Sequence, residues 1–118
     1  MLNQHHINKV YLALGPTDLR KSINGLSLIV QESFKLNRFS HDLFVFCNRK
    51  QDKLKILEWD NDGFWLHYKR LEKSRFRWPD GTIGSTVMID ERQFRWLLDG
   101  LSIHQKGAHP AVKERIII

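Results

Sequence analysis

Apolar residues along this chain change their period several times, and each change marks an element. Lys9–Leu14 (KVYLAL) is a short apolar run closed by Gly15-Pro16, which predicts a strand followed by a turn. Leu19, Ile23, Leu26 and Val30 then recur at intervals of four, three and four, so they share one helical face, widened by Ile29 and Phe34. Thr17 or Asp18 offers an N-cap oxygen, and the spacing predicts a helix from Asp18 to about Lys35. Gly25 inside it costs roughly 1 kcal/mol against alanine, the mark of a close contact.

Asp42–Asn48 (DLFVFCN) is a continuous apolar run of strand length, read as a central strand, and Asn48–Asp52 is a polar turn. Charged and apolar residues alternate from Lys53 to Ile56. The phase slips at Leu57 before Trp59, which predicts a bulge or a change of face. Asp60-Asn61-Asp62-Gly63 is a hairpin signal, because Asn and Gly tolerate the positive φ such turns need. The following strand puts Phe64, Leu66 and Tyr68 on an inner face and Trp65, His67 and Lys69 on an outer one. Arg75–Trp78 alternates again, with Phe76 and Trp78 inward and Arg75 and Arg77 outward, so a paired hairpin would show Trp65, Lys69, Arg75 and Arg77 together. Thr86–Ile89 is a last short strand. Asp90 and Gln93 form a capping-box pair for a second helix whose buried stripe is Phe94, Leu97, Leu98 and Leu101, with Gly100 near its end.

These elements describe one α+β domain over residues 1–103, an antiparallel β-sheet meander of about five to six strands flanked by two helices. A doubly wound parallel sheet is disfavoured, since the central strands lack crossover helices. From His104 to Ile118 no amphipathic period survives, and this basic segment is expected to be a mobile tail. Its final Ile116–Ile118 could dock on a partner or on another copy, so a homo-oligomer stays open. At 118 residues the chain has room for one modest core.

Charge adds a direction. The formal net charge is +6, which favours an anionic partner and says nothing of fold. The cations crowd into Arg49–Trp78, among Phe64, Trp65, Tyr68, Phe76 and Trp78. Cations neutralise phosphates and aromatic faces stack on unpaired bases, so the mixture suits nucleic acid. Two readings of the outer face stand side by side: a solvated charged face with Trp65 under a covering helix, or a binding face. On the second, Arg49, Lys50, Lys53, Lys55, Lys69, Arg70, Arg75 and Arg77 meet phosphates and Trp65 stacks. Arg20 and Lys21 are also out of place, because cations are unfavourable at the positive end of a helix, and they hint at an anion or an acidic partner.

Other chemistries find little support. The six histidines form neither HExxH nor a His/Cys cluster of ligand spacing, so no metal and no cofactor is expected. Acids sit in turns (Asp52, Asp60, Asp62, Asp80) or at helix starts (Asp18, Asp90, Glu91), their ordinary structural places rather than a two-metal nuclease core. There is no P-loop, GxSxG or Gly-rich nucleotide motif, and the chain reads as a non-enzyme. The lone Cys47 excludes an intrachain disulfide and, inside LFVFC, reads as a buried small hydrophobe. No apolar run approaches the roughly 20 residues of a membrane span, and the polar N-terminus lacks a signal-peptide core, so a cytoplasmic protein is expected.

Four strings carry a family resemblance: VYLALGPTDLRKSINGL (Val10–Leu26), LFVF (Leu43–Phe46), KILEWDNDGFWL (Lys55–Leu66) and KRLEKSRFRWP (Lys69–Pro79). In order and without large gaps over Val10–Leu101, they resemble the small accessory proteins of insertion sequences of the IS sixty-six type, the TnpB or second-frame family. Cys47-Asn48 and Ser74 depart from the family pattern, which is more basic after LFVF and has Gly at the later position. The resemblance implies a helper in DNA transposition encoded beside a separate transposase that carries the catalytic acids. Its partners would be DNA, at the insertion-sequence ends, and the transposase itself. It supplies no catalytic residues. Two modes follow: DNA binding through a basic-aromatic sheet face, or a protein-interaction module that docks on the transposase without touching DNA.

Overall fold

The computed structural model describes residues 9–105, folded around one five-stranded sheet. The elements are β1 (Val10–Ala13), α1 (Ile23–Leu28), continued by a π-helical turn (Ile29–Ser33), β2 (Leu43–Cys47), β3 (Lys53–Asp60), β4 (Gly63–Arg70), β5 (Thr86–Ile89) and α2 (Glu91–Leu98). Spatial strand order is β4-β3-β2-β1-β5. The α+β class holds, with one correction to the expected antiparallel meander. β1 and β2 pair in parallel, Val10 opposite Leu43 and Leu12 opposite Val45, while the other neighbours are antiparallel. A parallel pair needs a crossover, and α1 supplies it.

Both faces of the sheet are covered, which explains the unbroken apolar run of β2, whose five residues are all buried. Alternation divides the core in two. Val10, Leu12, Leu43, Val45, Leu54 and Ile56 meet Phe94 and Leu97 of α2 together with Phe76 and Trp78. Ala13, Phe44, Phe46 and Leu57 meet Leu26 and Val30, with Leu19, Ile23, Ile29 and Phe34 packed alongside. The helical stripe read from spacing is therefore the face that α1 buries.

The phase slip at Leu57 has the same cause. β3 keeps an unbroken register with β2 and β4, with no bulge, so Ile56 faces α2 and Leu57 faces α1. The β3–β4 hairpin turns on Asn61, at φ 55, with Asp60 opposite Gly63. Arg75–Trp78 is not a strand: its backbone forms no ladder, although Phe76 and Trp78 are buried as expected. What looked like alternation is a loop pressing two aromatics into the α2 side of the core, and Trp78 Nε1 donates to the Ala13 carbonyl at 2.8 Å.

The first helix begins at Ile23 rather than at Asp18, and Ser22 is its N-cap without a side-chain cap bond. Two sets of bonds compete with helix here, one of them local: Asp18 Oδ1 accepts from the Arg20 amide at 3.1 Å. Lys55 Nζ donates to the carbonyls of Leu19 (2.7 Å) and Lys21 (3.1 Å), which an earlier helix would have turned to its own amides. A Cβ on Gly25 would sit 3.2 Å from Lys21 Cβ, so that glycine relieves crowding with the preceding turn.

α2 follows the sequence closely. Asp90 accepts from the Gln93 amide at 2.8 Å and Gln93 Oε1 accepts from the Asp90 amide at 2.9 Å, a complete capping box. Phe94 and Leu97 are buried, but Leu101 lies past the helix and is 43% exposed, because Gly100 at φ 81 turns the chain away first. Ile103 returns to the core in its place. The expected tail beyond Gln105, with Ile116–Ile118, lies outside the described residues.

Two outcomes follow. Asp90→Ala removes one half of the capping box and should cost about 1 kcal/mol in chemical denaturation, with an unchanged m-value. Cys47 is buried, and desolvation pushes its thiol up to about 12 from 9.0. The folded protein holds this proton more tightly than the unfolded chain. The resulting stability is full below pH 9, declines as pH rises from 9 towards 12, and is readable by denaturation at stepped pH. At neutral pH the thiol should react with a disulfide reagent only after unfolding.

Candidate nucleic-acid interface

Three connections meet at the end of the sheet where β1, β2 and β4 finish: residues 14–22, 48–52 and 71–85. The β2–β3 turn is the hub. Asn48 Oδ1 accepts from the amides of Asp52 (3.1 Å) and Lys53 (3.0 Å), while its Nδ2 donates to Asp52 Oδ1 at 2.7 Å. That side-chain bond is the main reason the Asp52 carboxyl lies below its ordinary range. The other two connections are tied to this turn through backbone. Thr17 N donates to the Cys47 carbonyl at 2.8 Å, Leu71 N to Asp52 O at 2.8 Å and Phe76 N to Gln51 O at 2.7 Å. Gly15 and Gly81 allow the first and third connections to touch: a Cβ on Gly15 would meet Ile83 at 2.6 Å, and one on Gly81 would meet Leu14 at 2.5 Å.

This end is basic. Arg20 and Lys21 come from the first connection, Arg49 and Lys50 from the second, Lys53 and Arg70 from the adjoining strand ends, and Lys73, Arg75 and Arg77 from the third. Among them lie Asp18, Asp52, Glu72 and Asp80. The opposite end carries Asp42, Asp60, Asp62, Asp90 and Glu91 against Lys9, Lys35, Arg38 and Arg92. The excess positive charge is thus gathered along the strand direction, at one end of the sheet.

The surface there is concave. On the α1 side a cleft of about 580 Å³ is lined by Asp18, Leu19, Arg20, Asn48, Lys53, Lys55, Leu66 and Tyr68. A second of about 500 Å³ shares Asp18, Leu19, Asn48 and Lys53 with it and adds Arg49 and Lys50. On the α2 side a larger hollow of about 930 Å³ runs past Lys73, Arg75, Arg77, Trp78 and His104. A small crevice lined by Asn48, Arg49, Gln51 and Trp78 joins the two sides.

The nine candidates divide on this frame. Arg49, Lys50 and Lys53 line the α1-side clefts, and Arg75 and Arg77 line the α2-side hollow. Among the described residues none of these five side chains forms an ion pair. Lys55 also borders the cleft, but its ammonium is engaged by Leu19 and Lys21. Arg70 binds Glu72 at 2.7 Å. Trp65 and Lys69 are on the other face of β4, opposite Glu58 and Leu54. Lys69 Nζ donates to the Leu98 carbonyl at 2.6 Å, a cation at the negative end of α2. Trp65 is 58% exposed, stacks on His67 at 6.1 Å and donates from Nε1 to Asp60 at 3.1 Å. His67 in turn sits 2.8 Å from buried Glu58. The paired hairpin expected to show Trp65, Lys69, Arg75 and Arg77 together is not formed: all four lie on the α2 side of the sheet, but Arg75 and Arg77 are in a loop and not on a strand beside β4.

Two exposed side chains of the clefts, Arg20 and Tyr68, were not among the nine candidates. Arg20 has a side chain 91% exposed, bonded to Asp18 from Nε at 3.0 Å and from Nη2 at 2.7 Å. That hydrogen bonding holds the Asp18 carboxyl down at about 2. Its signal in the sequence was the misplaced positive charge before the helix. Tyr68, assigned to the core by alternation, is 54% exposed. Phe64 and Leu66 on the same face are covered by the α1 side of the core, but α1 starts too late to reach Tyr68.

No group of three or more His, Cys, Asp or Glu side chains is placed to hold a metal among the described residues, and no described helix is long and apolar enough to cross a membrane. The sequence profile of the family described as IS66 Orf2 like protein matches residues 8–108, a span that contains all the strands and helices of the described residues. The chain belongs to this family. Two relatives come from Sinorhizobium fredii (strain NBRC 101917 / NGR234). Uncharacterized protein y4hO is 40% identical over 93 residues, 79% of this chain and 80% of its own length. Uncharacterized protein y4jC is 32% identical over 93 residues, 79% of each chain. No solved structure matches.

As an IS66 Orf2-like protein the chain is an accessory of an insertion sequence, and the basic end falls wholly within the family's domain. Lys55 has a structural duty there. Lys55→Met should cost about 1–2 kcal/mol through the two lost bonds to a charged donor and speed amide exchange over residues 19–24. An unchanged exchange pattern would show that the ammonium does not hold this segment.

Proposed function

We propose that this IS66 Orf2-like protein is a non-catalytic helper of transposition that binds the element's DNA, in the cytoplasm, through the basic end of its sheet. The observation that carries this reading is the convergence of Arg20, Arg49, Lys50, Lys53, Arg75 and Arg77 from three tied connections around joined clefts. Arg20 is shared with Asp18, but the other five have no acidic partner among the described residues and are free to replace the counterions of a phosphate backbone. The gain comes from counterion release and needs no base-specific contact. The family supports a role in transposition, and the charge distribution supports DNA as the partner.

A second reading, docking on the separate transposase, has its own support. Both outer strands, β4 and β5, are paired on one side only among the described residues, and β5 carries a half-exposed Met88. An extended partner segment could add to such an edge. A pull-down with the transposase in nuclease-treated extract separates this route from DNA bridging.

Salt dependence tests the first reading. Affinity for duplex DNA from the element's ends should fall linearly on a log–log plot against salt, by about 0.9 per phosphate contact. Combined Arg49→Glu, Lys50→Glu and Lys53→Glu should flatten that slope by about 2–3 units with an intact fold by circular dichroism. Absence of binding at low salt, or a slope indifferent to the three substitutions, removes the basic end as the DNA surface.

A further inference from the structure

The α1-side cleft is more than a patch of charge. Its lining combines the apolar Leu19 and Leu66 and the ring of Tyr68 with Lys53, Lys55, Asn48 and the Arg20–Asp18 pair. Lys55 holds the carbonyls of Leu19 and Lys21 beside this opening, α1 begins only at Ile23, and Tyr68 is left half exposed. Tyr68, 54% exposed in the lining of a cleft of about 580 Å³ with Lys53 beside it, offers two contacts at once: a π-face and a phosphate-binding cation.

Resting on the reading of the basic end as a DNA surface, we infer that this cleft takes an unpaired nucleotide, so that the protein holds single-stranded DNA with a base stacked on Tyr68 and a flanking phosphate on Lys53. A base inside a duplex has both faces covered by its neighbours, and only an unpaired one can lie on the ring. Cations on a flat surface would serve duplex and single strand alike. The apolar and aromatic part of the lining gains nothing from a phosphate backbone and suits a base. Trp65 is excluded from this role, being on the other face of the sheet and already stacked on His67.

The test uses the full chain and two fluorescent probes of one sequence, a 20-nucleotide single strand and its duplex, titrated by anisotropy at one salt concentration. Tyr68→Ala should weaken single-strand binding about tenfold and change duplex binding less than twofold, and Tyr68→Phe should restore the single-strand affinity. Lys53→Glu should weaken both probes. Equal losses on both probes for Tyr68→Ala, or no loss on the single strand, overturns the stacking site while leaving the basic end as a duplex surface. Failure of the unaltered protein to bind either probe overturns both. Tyr68 is half exposed at a strand end, and circular dichroism of each variant separates misfolding from lost contact.

Discussion

Parallel pairing of β1 with β2 cannot be closed by a hairpin, so the chain between these strands has to cross one face of the sheet. That crossing is α1, and its consequences reach every part of the molecule. With one face covered by the crossover and the other by α2, the middle strands are buried on both sides, and β2 is apolar throughout. β1 gains a second neighbour, β5, on its far side, so the longest-range antiparallel pairing joins residues 10–13 to 86–89. The same topology brings the ends of β1, β2 and β4 together, and with them three connections rich in Lys and Arg.

Side chains distant in sequence then decide what that end looks like. Lys55 holds the segment before α1 from the strand side, and Trp78 fastens the 71–85 connection to the end of β1. Asn48 orders the β2–β3 turn that receives backbone bonds from both flanking connections. The result is a rim of cations around clefts whose backbone is already hydrogen-bonded. Such a surface loses little conformational entropy when it meets an extended anion. Charge on the other face of β4 has a different fate. Lys69 serves the C-terminus of α2, and Trp65 packs on His67.

Much of this was legible from periodicity. Helix faces, the β3–β4 hairpin, the capping box of α2 and the burial of Cys47, Phe76 and Trp78 follow from spacing and from single turn residues, because they depend on neighbours a few positions apart. Alternation misled in three places for one reason. At Ile56-Leu57 two adjacent apolar residues suggested a bulge or a change of face, at Arg75–Trp78 a two-residue period suggested a strand, and at Tyr68 it suggested burial. In each case the deciding partner lies on another element: α1 and α2 in the first, the core beneath a loop in the second, the late start of α1 in the third.

The candidate site divides along the same line. By itself the sequence determined an α+β domain of this family, a basic-aromatic segment, and which residue types stand ready to meet an anion, since composition, period and motif are local properties of a chain. Only the tertiary structure decided that β1 and β2 are parallel, and that the cations share an end of the sheet rather than a face. It also decided that Lys55 and Lys69 are engaged by backbone carbonyls, that Arg20 pairs with Asp18 at the surface, and that Tyr68 is half exposed. Those facts depend on which strand edges pair and where a covering helix begins, and contacts across more than thirty residues of chain bear on both, as between Lys55 and Leu19. Periodicity can tell that a side chain leaves the backbone on one side. What waits for it there is decided by the fold.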